Sequence, residues 1–198
     1  MDFSPYVVPS LWLIIATSAS LLVIKETRAT SLLLGIQYIG VFILVGLTWP
    51  IEMAVIKIVV GWLVAIVLGL EIRNKSSNTT TGRSVPWSLI FLSLGLALLL
   101  VASIREIIPN LANRFLNARY EQILGSSILI GLGLLKVGIS MSTRSLVIGI
   151  LTFLSGFEII FATIDTSAFI AGFLAFLSLG VSLLGTYLSS APSLKSEP

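Results

Sequence analysis

Two residues of opposite charge, Lys57 and Glu158, lie deep inside long apolar stretches of the chain. Lys57 follows Ile51 by six residues and Glu158 precedes Ile164 by six, so each lies about 9 Å from a predicted helix end at 1.5 Å per residue. An ionisable side chain inside a membrane costs about 2.5–3.5 kcal/mol on insertion scales. A carboxylate and an ammonium at one depth can pair, and such groups can pass on a proton or a cation.

A structural interpretation is also open for both residues. Lys57 can extend its ammonium group to the lipid headgroups, and Glu158 can bond a neighbouring hydroxyl or lysine. Glu52 is a third proton-relay candidate, placed as an entrance in the first turn of the helix that carries Lys57. At that position the positive end of the helix dipole favours a carboxylate, so capping accounts for Glu52 as well.

Other kinds of chemistry are excluded by composition. The chain has no cysteine and no histidine, which removes disulfides, thiolate or imidazole metal sites and histidine acid–base catalysis. It also lacks a glycine-rich phosphate loop and a nucleophile elbow. We therefore predict no metal, no cofactor and no catalytic residue, and no catalysis by this chain alone.

The chain is far more apolar than a soluble protein. Hydrophobic residues make up 56% of its 198 residues and charged residues 11%, and the mean hydropathy is +1.06. Soluble domains carry roughly 25% charged residues. The lipid bilayer is therefore the predicted surroundings of the fold. The net charge of +3 is scattered along the chain, so no nucleic-acid partner is expected.

The pattern predicts an all-α, polytopic transmembrane bundle of about seven helices, forming a single domain over residues 1–198. The predicted spans are 7–24, 31–47, 51–70, 86–103, 121–140, 145–164 and 167–188. Residues 71–86 are predicted to form a polar cytoplasmic loop. Residues 87–120 combine the linking fourth helix with an amphipathic interfacial helix. Residues 191–198 are a polar tail.

The two ends of the chain show an internal correspondence. A shift of 116 residues brings a basic loop, two glycines and two short turns into register. The aligned pairs are Arg28 with Arg144, Gly40 with Gly156, Gly69 with Gly185 and Trp49 with Asp165. This indicates two like-oriented three-helix units, residues 1–70 and 121–190, joined by the fourth helix.

The distribution of lysine and arginine predicts the orientation in a cell membrane. With the N-terminus outside, the cytoplasmic segments hold seven basic residues, namely Lys25, Arg28, Arg73, Lys75, Arg83, Arg144 and Lys195. The opposite side holds three, in the interfacial segment. The positive-inside rule therefore favours a multi-pass protein with an outer N-terminus and a cytoplasmic C-terminus.

Further polar and small residues serve packing in this interpretation. Gln37 and Gln122 can bond across helices, and Lys136 lies one turn from a helix end, where lysines reach the headgroups. Asp165 is expected in a turn or a helix cap. The glycines of the last three helices permit close packing, either within the bundle or against another membrane subunit.

Three stretches resemble a known family of membrane subunits. Residues 35–38 (GIQY) and 52–60 (EMAVIKIVV) place a glutamine-bearing helix before a helix with a lysine, and residues 149–160 (GILTFLSGFEII) form a glycine-containing helix with a glutamate. This pattern is similar to component E of hydrogenase-4-type complexes, the chain 4L-type subunit of respiratory complex I and the C-type subunit of cation/proton antiporters.

The resemblance implies roles for two residues and for the chain. Glu158 would take the family's intramembrane carboxylate position, and Lys57 the lysine of the component E pattern. The chain would pack against larger antiporter-like subunits and assist proton translocation without holding a redox centre. Residues 167–188 contain no acidic residue, where the chain 4L pattern has a second glutamate.

These observations lead to one functional hypothesis and two alternatives. The hypothesis is a non-catalytic membrane subunit of an ion- or proton-translocating energy-coupling complex, accessory to a redox-driven pump and bound to other membrane subunits. The alternatives are a stand-alone small transporter or channel, and an assembly or scaffold protein whose charges only anchor it.

Overall fold

A computed structural model describes residues 4–24, 28–75, 119–140 and 142–190. Within these ranges every regular element is helical. After a short 3-10 helix at Ser4–Tyr6 come six α-helices: α1 (Val7–Val23), α2 (Arg28–Val45), α3 (Ile51–Lys75), α4 (Tyr120–Gly138), α5 (Thr143–Ile164) and α6 (Ala168–Ser190). The predicted all-α fold is confirmed. The predicted helix 86–103, the interfacial helix over most of 104–120 and the tail lie outside the described residues.

Five of these helices, α2 to α6, are long and apolar enough to cross a membrane, while α1 is an apolar helix of 17 residues. Their outward faces carry large apolar side chains, including Trp12, Trp62, Phe169 and Phe176, each more than half exposed. Such a surface suits hydrocarbon rather than water. The chain is an integral membrane protein; which end faces the cytoplasm stays a prediction.

The helix ends agree with the predicted spans to within a few residues, with one informative exception. Helix α3 continues to Lys75, whereas the sequence predicted that a polar loop would begin at Glu71. Hydropathy marks where a span leaves the hydrocarbon, and the backbone hydrogen bonds of a helix continue beyond that point. Residues 71–75, four of which are polar, therefore extend α3 rather than end it.

Two short connections lie at the same end of the bundle. Residues 46–50 join α2 to α3, and residues 165–167 join α5 to α6. Asp165 forms the expected turn, because its Oδ1 atom accepts the backbone N–H of Ser167 at 2.8 Å. We call this end of the bundle the turn face.

Helices α2 and α5 occupy the centre of the bundle. Helix α2 packs against α1, α3 and α5, and α5 packs against α2, α4 and α6, while α3 also packs against α6 and α1 against α4. Helices α2, α3, α6 and α5 therefore follow one another around a closed circuit. We call these four helices the four-helix ring.

Glycines aligned by the 116-residue shift make matching contacts. Gly40 packs against Leu13 and Ile14, and its counterpart Gly156 packs against Leu129 and Ile130, which are the same two positions shifted by 116. Likewise, Gly69 faces Ser31, and Gly185 faces Val147. The division of the chain into two like-oriented three-helix units stays a prediction, with which these paired contacts agree.

Candidate functional site

Lys57 and Glu158 meet inside the four-helix ring. Lys57 comes from α3 and Glu158 from α5, and α2 and α6 each pack against both of these helices. Both residues lie six positions from the turn face, so the two helices present them at one depth. The site therefore joins one helix of each predicted three-helix unit.

The two side chains form a buried ion pair. Lys57 Nζ lies 2.9 Å from Glu158 Oε1, and each side chain is 1% exposed. Lys57 Nζ also lies 3.5 Å from the carbonyl oxygen of Ala171 and 5.9 Å from the centroid of the Trp49 ring. The expected alternative, with Lys57 extended to the headgroups, is wrong, because a carboxylate at the same depth retains the ammonium group.

The two oxygens of Glu158 have different surroundings. Oε1 accepts from Lys57 and also from the hydroxyl of Ser178, at 3.3 Å. Oε2 is buried and has no hydrogen-bond partner among the described residues. A buried carboxylate oxygen is a strong acceptor, so Oε2 is the atom of this pair that is open to a proton or a donor.

Tyr38 adds a hydroxyl to the site. The residue lies on α2, is 1% exposed, and packs its ring against Gly61 of α3, where a Cβ atom would collide with it. Its hydroxyl lies close to the Ser155 and Ser178 hydroxyls and interacts electrostatically with the Glu158 carboxylate. It makes no hydrogen bond of acceptable geometry with any described group. Tyr38, Ser155 and Ser178 were not predicted from the sequence to be site residues.

The sequence does contain a signal for one of these residues, Tyr38. Aromatic belts place tyrosine at membrane interfaces, whereas Tyr38 lies seven residues inside the end of α2 at Val45, about 10 Å deep. A tyrosine at that depth needs a polar partner. Only the arrangement of the four-helix ring identifies which hydroxyls lie beside it.

Trp49 covers the ion pair on the turn face. Its side chain is 3% exposed, and its indole Nε1–H donates to the carbonyl oxygen of Asp165 at 3.0 Å. This bond joins the two short connections of the turn face. Its burial beside Lys57 makes Trp49 a cover of the ion pair on this side.

Glu52 does not join this cluster. It occupies the first turn of α3 with an exposed side chain, one and a half turns from Lys57 along the helix. A carboxylate there interacts favourably with the positive end of the α3 dipole. Its predicted roles, as a cap or as a proton entrance, both remain predictions.

Two other buried cations have structural partners. Lys136, expected to reach the headgroups, is instead 8% exposed, and its ammonium donates to the carbonyl oxygen of Leu21 at 2.6 Å, in the last turn of α1. That prediction was wrong because the negative end of the α1 dipole supplies a closer partner. Arg144 donates to the Ser31 hydroxyl and to the Leu68 carbonyl, each at 2.9 Å.

The pair is chemically able to switch between two charge states. Protonation of Glu158 would remove the negative charge that holds Lys57 and leave the ammonium beside the Trp49 ring and the Ala171 carbonyl. Loss of that proton would restore the pair. No group of three or more His, Cys, Asp or Glu that could hold a metal ion occurs among the described residues.

Stability alone does not account for the pair. Replacing a buried ion pair with well-packed apolar side chains is often neutral or stabilising, because desolvation of two charges offsets their attraction. Ionisable residues inside a membrane typically mark ion or proton pathways.

No protein-family model matches the chain, and neither a curated protein nor a solved structure is found to be similar to it.

Proposed function

We propose that this chain is a non-catalytic membrane subunit that takes up and releases protons at Glu158 within an ion-translocating, energy-coupling complex. The observation that carries the proposal is the Lys57–Glu158 pair, 2.9 Å long and 1% exposed at both ends. Its position between one helix of each three-helix unit lets a change of charge act on the packing of both units.

The nature of the pair favours a proton as the transported charge. A carboxylate can be neutralised by a single proton, and an adjacent ammonium group repels a metal cation from the same oxygen. The resemblance to hydrogenase-4 and complex I-type subunits points to one class of parent complex. That class remains an expectation, because it rests on the motifs at residues 35–60 and 149–160.

The proton-handling part of the proposal is tested on the purified chain in lipid. Infrared difference spectra between acidic and alkaline buffer should contain the C=O stretch of a protonated, buried carboxyl group. Glu158→Gln should remove this band. Glu52→Gln is the matched control and should retain it, because Glu52 is exposed. A spectrum unchanged by Glu158→Gln would contradict proton uptake at this residue.

The subunit part needs a separate experiment, because a stand-alone transporter is the second candidate. Two like-oriented repeats that meet at a charged site are a common transporter architecture. The predicted repeat is therefore the observation that supports the second candidate. Isolation in mild detergent should recover the chain together with larger membrane proteins. Liposomes that hold only the chain and a pH-sensitive dye should show no proton flux. Flux that Glu158→Gln abolishes would establish the transporter instead.

A further inference from the structure

Two buried polar atoms near the ion pair have no described hydrogen-bond partner, and the Tyr38 hydroxyl lies within electrostatic range of the Glu158 carboxylate. These are Oε2 of Glu158 and the hydroxyl oxygen of Tyr38. Ser178 already donates to Oε1 of Glu158, and Ser155 donates to the Leu151 carbonyl. Three helices, α2, α5 and α6, thus bring four oxygen-bearing side chains together while two of the oxygens keep free hydrogen-bonding capacity.

The free capacity matches the requirements of a water molecule. Buried polar groups are almost always paired, with protein or with ordered water. A buried water typically makes two to four hydrogen bonds. Oε2 can accept from it, the Tyr38 hydroxyl can donate to it, and the lone pairs of the Ser155 and Ser178 hydroxyls can accept from it.

The region lies on one side of the ion pair. Lys57 and Glu158 are six residues from the turn-face ends of their helices, whereas Tyr38, Ser155 and Ser178 are seven, nine and ten residues from theirs. At 1.5 Å per residue, the Cα atoms of these three residues lie about 2–6 Å further from the turn face. On the other side, Trp49 covers Lys57 and is bonded to Asp165.

We propose that a water molecule bound between Glu158 Oε2 and the Tyr38, Ser155 and Ser178 hydroxyls delivers the proton to Glu158 from the side away from the turn face. This inference rests on the proposed proton uptake at Glu158. In the step, a hydronium ion breaks one O–H bond and Oε2 gains one. Water and a neutral carboxyl group are the products, and the net charge of the pair rises from zero to +1.

Tyr38 is the positioning residue in this arrangement. Its hydroxyl orients the water, and its ring is fixed against Gly61. Tyr38→Phe keeps the ring and removes only the hydroxyl, so the variant should fold. Tyr187, on α6, is 73% exposed, and Tyr187→Phe is therefore the matched control for loss of a phenol.

The test follows the carboxyl C=O band of Glu158 after a rapid drop in pH, with the purified chain in lipid. Tyr38→Phe should slow the appearance of this band about 100-fold, the lower end of what a positioned proton-transfer group contributes. Trp49→Phe removes the indole bond to Asp165 on the turn face and should slow the band less than Tyr38→Phe does. Tyr187→Phe should leave the rate unchanged, because Tyr187 is exposed. Exchange into H₂¹⁸O should shift a water O–H band that Tyr38→Phe removes.

The outcomes separate this inference from the proposed function. If the Glu158 band appears, but neither its rate nor any isotope-sensitive water band depends on Tyr38, the water site is wrong while proton uptake stands. If the wild-type chain shows no band that depends on Glu158, the proposed function fails, and the water site loses its purpose with it. A larger effect of Trp49→Phe than of Tyr38→Phe would place the proton entrance on the turn face.

Discussion

The two sides of α5 are built in different ways. Toward α4 the contact is made through glycines at very short range: Gly133 lies against the backbone of Phe153, and Gly149 and Gly156 lie against Val137 and the Ser126 carbonyl. A Cβ atom at any of these three positions would come within 3 Å of a neighbour. Small residues let membrane helices approach closely, and van der Waals packing then holds them together.

Toward the other three helices of the four-helix ring, α5 presents Glu158 and Ser155 instead. Here an ion pair and hydroxyls take the place of close backbone contact, and Oε2 of Glu158 and the Tyr38 hydroxyl have no described partner. Buried polar groups of this kind cost free energy when they are unsatisfied. One side of α5 thus fixes the fold through packing, while the other side carries the charges on which the proposed function depends.

The largest expected effect comes from breaking the ion pair on one side only. Lys57→Met or Glu158→Leu alone should each lower the free energy of unfolding by about 3–5 kcal/mol, because the remaining charge is buried without its partner. The double variant should recover most of that loss, since it buries no charge. Equilibrium unfolding in mixed micelles, at increasing concentrations of a denaturing detergent, measures the free energy of unfolding of all three variants.

The control for this cycle is a single variant at an exposed charge. Glu52→Leu removes a carboxylate from the same helix as Lys57 without uncovering a buried partner. Its effect should stay below about 1 kcal/mol, the range of exposed helix-terminal charges. If either single variant in the ring costs no more than Glu52→Leu, the pair carries little electrostatic energy, and the contrast between the two sides of α5 loses its basis.

The sequence predicted the helices better than it predicted the site. Long apolar runs and their breaks locate the spans, because each span has to cross the hydrocarbon whatever its neighbours are. The equal depths of Lys57 and Glu158 follow from the same counting. Their pairing does not, because the depth of a residue contains no information about the face of the helix on which it lies or about which helix is adjacent.

Tyr38 and Lys136 illustrate what was missing. The hydroxyl of Tyr38 belongs to the site only because α2 packs between α3 and α5. Lys136 was expected to reach the headgroups, yet it caps α1 because the end of that helix lies beside α4. Both outcomes depend on contacts between segments that are distant in the sequence, and helical periodicity does not encode them.

A smaller effect is expected on the closely packed side of α5. Gly133→Ala would bring a methyl group to 2.5 Å from the Phe153 backbone nitrogen, so the helices must separate at a cost of about 1–3 kcal/mol. Gly180→Ala, on α6, is the control because its Cβ atom would have no neighbour within 4 Å. That variant should be neutral or slightly stabilising, since alanine favours helix by up to about 1 kcal/mol. Equal losses for both variants would show that the short contact carries no special weight.

The smallest effect distinguishes two fully buried glutamines, Gln122 and Gln37. Gln122 donates to the Leu44 carbonyl at 2.7 Å and to the Thr48 hydroxyl at 3.0 Å, whereas the amide of Gln37 has no hydrogen-bond partner among the described residues. Gln122→Leu should therefore cost about 0.6–1.7 kcal/mol of unfolding free energy, the range measured for hydrogen bonds between membrane helices. Gln37→Leu should be neutral or stabilising, because it removes an unsatisfied amide. A loss at Gln37 equal to that at Gln122 would mean that Gln37 bonds a water or another group, and the polar region of the ring would then extend beyond Tyr38 along α2.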